Sequence, residues 1–126
     1  MSKVKVTYDG VQHCTAVADV TGKSITDGAG KEYGGTGQEL SPVAMVGSSL
    51  GCGMLLAMGQ LALRDDLDIS GATADVEVLL TEDPIFRIGA INLSFRMPRD
   101  FSKPNRTKLE RAASMCPIKP SFHPDI

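Results

Sequence analysis

From Ser41 to Leu63 the chain reads SPVAMVGSSLGCGMLLAMGQLAL, 23 residues without a Lys, Arg, Asp, Glu or His. No other stretch constrains the fold as tightly, because a helix apolar on every side must be covered on every side. Ser41-Pro42 is a good helix start: the Ser hydroxyl can accept an orphan N–H, and Pro at the first helical position has no N–H to leave unpaired. The run ends at Arg64-Asp65-Asp66. It is long enough to span a bilayer, and Gly47 to Gly51 has the GxxxG spacing of packed membrane helices. However, Ser48, Ser49, Gln60 and four glycines dilute it, and one Arg followed by two Asp is not a positive-inside flank. The run therefore reads as a core helix, with no membrane partner expected.

The segments around it alternate as sheets of soluble proteins do. Val4, Val6 and Tyr8 alternate with Lys3, Lys5 and Thr7, and Asp9-Gly10 is a hairpin-turn signal before the chain returns through His13 and Val17. A glycine-rich polar segment, Thr21 to Gly37, predicts a short strand near Lys23–Ile25 and then a mobile loop. Beyond the apolar run, Ala74, Val76, Val78 and Leu80 predict one strand, and Ile91, Leu93, Phe95 and Met97 an antiparallel partner. A second helix is expected to open near Ser102, to be amphipathic through Leu109, Ala112, Ala113 and Cys116, and to stop at Pro117. The fold class is α+β, one domain over residues 1–126.

One small antiparallel sheet covers a single face of the apolar helix. The other face calls for a second copy of the chain, and Gly47, Ser48, Gly51 and Gly53 would let its backbone approach. A homodimer with central helices enclosed by sheets is the expected assembly. A net charge of −2, a pI near 5.6 and no tryptophan argue against a nucleic-acid partner. The N-terminal MSKVKVTYDG lacks an apolar signal core, so the expected compartment is the cytoplasm, where thiols stay reduced.

Cys14, Cys52 and Cys116 are too few and too scattered for a disulfide scaffold or a CxxC zinc site. Cys14 reads as a small core residue. A His13–Cys14 dyad is disfavoured because neighbours on a strand point to opposite faces. Cys52 lies between two glycines, where missing side chains leave room for a substrate or a second sulfur. Cys116 ends a helix at a Cys-Pro junction.

The run EYGGTGQELSP…GSSLGC, followed by LERAASMCPI, resembles the OsmC/Ohr family, the osmotically inducible protein C and organic hydroperoxide resistance proteins. The resemblance covers most of the chain, including the 64-residue separation of Cys52 and Cys116. It implies an intertwined homodimer with antiparallel sheets wrapped around long central helices. It also implies thiol-dependent reduction of organic hydroperoxides, with Cys52 as peroxidatic thiol, Cys116 as resolving thiol, an external dithiol as reductant, and no cofactor or metal. The chain departs from the family pattern in three places. No Arg precedes Arg64, Pro42-Val43-Ala44-Met45 carries no carboxylate, and Pro42 to Cys52 is one residue short. These departures leave an alternative: a non-catalytic OsmC-like dimer holding a small hydrophobic ligand between its central helices.

Overall fold

The structure, a computed structural model, describes residues 2–126. By its internal contacts the chain divides into two compact units, one ending at Met45 and one beginning at Val46.

The first unit is an antiparallel meander of β1 (Val4–Gly10), β2 (His13–Ala18) and β3 (Ser24–Gly28). The alternation of β1 is realised, with Val6 opposite Ala16 and Tyr8 opposite Cys14. The turn lies two residues later than Asp9-Gly10 suggested. Val11 (φ 54°) and Gln12 (φ 57°) supply the two left-handed central residues, while Gly10 (φ 92°) sits at a register shift after Tyr8. A two-residue turn of this hand needs positive φ at both centres, and the glycine has been spent on the bulge instead. β3 is longer than Lys23–Ile25. The glycine-rich segment after it is not an open loop: Ala29 N donates to Gln12 O at 3.0 Å, and Gly28 N to Leu40 O at 3.1 Å. Between these bonds runs a short 3-10 turn, Lys31–Tyr33. Gly35 lies so close to the Ala29 carbonyl that no Cβ fits there.

Helix α1 spans Pro42–Arg64, with Ser41 Oγ accepting from Ala44 N at 3.1 Å, so the Ser-Pro start behaves as expected. In the second unit it is followed by β4 (Thr73–Thr81) and β5 (Arg87–Arg96), an antiparallel pair with Val76 opposite Leu93 and Val78 opposite Ile91. Helix α2 runs over Lys103–Ser114, capped by Ser102 Oγ accepting from Asn105 N at 3.3 Å.

The core of this unit joins Met58 of α1 to Leu109 and Ala113 of α2, with Met54, Phe95 and Phe101 packed around them. Full withdrawal from water of a side chain such as Met58 or Leu109 contributes about 1.5–3 kcal/mol. Gly47 and Gly51 face the same unit's sheet: a Cβ on Gly47 would stand 2.5 Å from Val78 Cγ2, and one on Gly51 3.0 Å from Val76 Cγ2. The GxxxG pair thus brings α1 down on β4. Close approach of a second chain at those glycines, expected from the sequence, is not their role.

Among the described residues α1 alone is long and apolar enough, by length and composition, to cross a membrane. Only 22% of its most apolar stretch is buried within the chain.

Candidate functional site

The burial pattern divides α1 into faces. Gly47, Leu50, Gly51, Met58 and Ala62 are buried. Ser48, Ser49, Cys52, Leu56, Gln60 and Leu63 are exposed, and their spacing of three to four residues makes one continuous stripe. Leu56 is 68% and Leu63 86% exposed, on a helix whose first charged residue is Arg64. Among the described residues, Cys52 therefore sits at the middle of the exposed stripe of α1.

Cys116 has the opposite environment. It follows the end of α2, where its N–H donates to Ala113 O at 3.3 Å, and it is 1% exposed. The α1 residue directed at it is Gly53: a Cβ built there would stand 2.8 Å from Cys116 Sγ and 2.9 Å from Ile118 Cδ1. Successive side chains leave an α-helix about 100° apart. Gly53 and Cys52 therefore point to different surroundings, the first to Cys116 and the second outward. All three cysteines are free thiols, and Cys14, on β2, is half-buried.

The first unit contains a polar cluster that the sequence did not single out. His13 Nδ1 lies 3.1 Å from Asp9 Oδ2, and His13 Nε2 lies 2.8 Å from Glu39 Oε1. Thr15 Oγ1 donates to Asp9 Oδ2 at 2.6 Å. Gly28 has no side chain, and a Cβ there would collide with the Glu39 carboxylate. The signal for this cluster was the shared parity of Asp9, His13 and Thr15 across the hairpin. Glu39 could not be placed because it reaches the sheet through a loop. Both ring nitrogens of His13 are engaged by carboxylates. Among the described residues no three His, Cys, Asp or Glu side chains are placed to hold a metal ion.

No family model and no curated protein matches the chain. Solved structures do. A Psychrobacter arcticus protein, named for an osmotic stress induced and detoxification response, superposes with a TM-score of 0.93 at 28% identity, covering 100% of this chain and 91% of its own. An OsmC-like protein of Mycoplasma pneumoniae gives a TM-score of 0.78 at 19% identity, over 96% of this chain and 86% of that one. The organic hydroperoxide resistance protein OhrB of Bacillus subtilis gives 0.66 at 18% identity, over 98% and 92%. The fold is therefore an α+β fold of antiparallel sheets and helices shared along nearly the whole chain. That fold is the one seen in OsmC-like and Ohr structures, in agreement with the resemblance read from EYGGTGQELSP, GSSLGC and MCPI.

Proposed function

We propose that this chain is a single OsmC-like domain that works as a cytoplasmic homodimer in the response to peroxide stress, reducing organic hydroperoxides at Cys52. The observation that carries this reading is the position of Cys52 at the centre of the uncovered α1 stripe. The stripe changes along its length. Ser48, Ser49 and Cys52 are small, leaving space for a substrate, whereas Leu56 and Leu63 are large and apolar and would be covered by the second copy. The named functions of the structural neighbours, organic hydroperoxide resistance and detoxification, support the same chemistry.

In that chemistry the Cys52 thiolate attacks the O–O bond of the hydroperoxide, since the thiolate and not the thiol is the nucleophile. The alcohol leaves and Cys52 Sγ becomes a sulfenic acid, which condenses with a second thiol, either Cys116 or one from the donor. An external dithiol then supplies the two electrons that regenerate the thiol. The test is turnover of cumene or tert-butyl hydroperoxide with a dihydrolipoyl donor, which Cys52→Ser should reduce to the uncatalysed rate. No turnover by the unsubstituted protein would overturn the reading.

A second reading, a dimer that binds a small apolar ligand without chemistry, draws on the engagement of His13 by two carboxylates and the lack of any Arg before Arg64. It predicts that Cys52→Ser leaves binding of a hydrophobic fluorescent probe unchanged and that hydroperoxide is not consumed.

A further inference from the structure

Gln60 is the one carboxamide on the exposed stripe of α1, in a run from Ser41 to Leu63 that carries no charged group. Among the described residues its side chain has no hydrogen-bond partner. A carboxamide buried without a partner costs free energy, so a second copy that covers this stripe has to answer Gln60. We propose that it does so with the reacting centre: in the homodimer, Gln60 of the partner subunit stands against Cys52 and donates a hydrogen bond to the oxygen that leaves the hydroperoxide. This rests on the dimeric, peroxide-reducing reading above and adds to that site a residue supplied by the second copy.

The pairing follows from the stripe and from twofold symmetry. Ser48, Ser49 and Cys52 make one end of the stripe small, and Leu56 and Leu63 make the other end large. Antiparallel copies of α1 lay each large end in the space left by the other's small end. Parallel copies would crowd leucine on leucine and leave serine facing serine across a gap. In a twofold interface, if one residue meets a second, the second meets the first, so the numbers of facing residues share one sum. Pairing the stripe over its whole length puts Leu63 on Ser49 and Leu56 on its own copy. The same sum puts Gln60 on Cys52. Gly59, beside it, has no side chain, and apart from its own helix backbone nothing among the described residues lies within 4 Å of a Cβ built there, which leaves room for a substrate.

The reaction calls for such a donor, because negative charge grows on the leaving oxygen and the stripe carries no cation. An amide N–H aimed at that oxygen, in an interface that excludes water, is a fixed dipole of the required sign. The Cys52 sulfur bonds the outer oxygen, the O–O bond breaks, and the alkoxide leaves as the alcohol with a proton from water. Two electrons pass from the thiolate to the peroxide, which leaves Cys52 as the sulfenic acid. Gln60 lends a hydrogen bond to the leaving oxygen and transfers no proton, so the balance of the step is unchanged.

Two arms, both on the full chain, test this. In the first, Gln60→Cys is treated with the thiol oxidant diamide and read by peptide mass spectrometry without reduction. Within one chain, positions 52 and 60 lie about 12 Å apart along the helix, beyond the ~4.4–6.8 Å between the Cα atoms of a disulfide. The expected product is a covalent dimer that joins Cys52 of one copy to position 60 of the other. Absence of that peptide pair would overturn the proposal. In the second arm, Gln60→Met keeps the length of the side chain but has no donor. Its kcat/KM for tert-butyl hydroperoxide, with a dihydrolipoyl reductant, should fall about tenfold or more while light scattering still gives a dimer. An unchanged kcat/KM would overturn the donor role. If the unsubstituted protein turns over no hydroperoxide, the peroxide reading falls and the donor role with it, and the disulfide arm alone decides where Gln60 stands.

Discussion

Gly53 and Cys116 approach so closely that a Cβ on the glycine would stand 2.8 Å from the sulfur. The contact fixes the segment after α2 on the flank of α1, and it sets the direction in which Cys52, one residue back, leaves the helix.

The two glycines of the lower helix should therefore respond oppositely to alanine. Replacing a helical glycine normally gains about 1 kcal/mol from helix propensity. At Gly59 nothing among the described residues, its own stretch of helix backbone apart, lies within 4 Å of the added methyl, so Gly59→Ala should raise the urea midpoint of the isolated chain. At Gly53 the methyl meets Cys116 and Ile118 under 3.0 Å, and overpacking of that kind costs roughly 1–3 kcal/mol. Gly53→Ala should be neutral to destabilising by about 2 kcal/mol in the same urea titration. A clear gain in stability at Gly53 would contradict the packing.

The hairpin turn makes a second prediction. Val11 carries a β-branched side chain at φ 54°, a conformation that costs such residues of order 1–3 kcal/mol and that Asn tolerates. Its side chain is exposed, so nothing is lost in packing. Val11→Asn should stabilise the protein by about 1 kcal/mol in thermal or urea unfolding.

This turn also shows how far the sequence could be read. Elements set by local chemistry were legible: the Ser41-Pro42 and Ser102 caps, the period-two alternation of β1, β4 and β5, and the uncharged span of α1. The turn was misplaced because Asp9-Gly10 satisfies a hairpin preference equally well as a bulge, and only the pairing of Tyr8 with Cys14 decides between them. The site was half legible. Cys52 and Cys116 stood out as residues, but which α1 residue faces Cys116 depends on a 100° step of the helix that spacing alone does not resolve. Likewise the small residues of α1 announced close approach without saying to what, and Gly47 and Gly51 prove to serve β4 of the same chain.

Acid stability should depend on the junction after α1. Asp65 accepts from Arg64 Nε at 3.1 Å and from Lys108 Nζ of α2 at 3.3 Å, and these partners, Arg64 first, hold its carboxyl below the usual range. A carboxyl depressed in the folded state binds its proton more readily when unfolded. Its contribution is therefore present above the ordinary carboxylate range and is lost as pH falls through the lowered value. Asp65→Asn should flatten the fall in stability below about pH 4, with the change small because the group faces solvent. An unaltered acid limb in pH-dependent urea unfolding would contradict the assignment.

The exposed end of α1 should govern assembly. Leu56 and Leu63 lie on one stripe, and a carboxylate there would be buried unpaired in a homodimer. Leu56→Glu is expected to shift light scattering at micromolar concentration from dimer toward monomer. Lys103→Glu, at the exposed start of α2, should leave the mass unchanged.

The most direct test of the account is the stoichiometry of hydroperoxide consumed without reductant. One equivalent of tert-butyl alcohol should form per chain in the unsubstituted protein and in Cys116→Ala, and none above background in Cys52→Ser. Alcohol formation that persists in Cys52→Ser would contradict the central role given to that thiol.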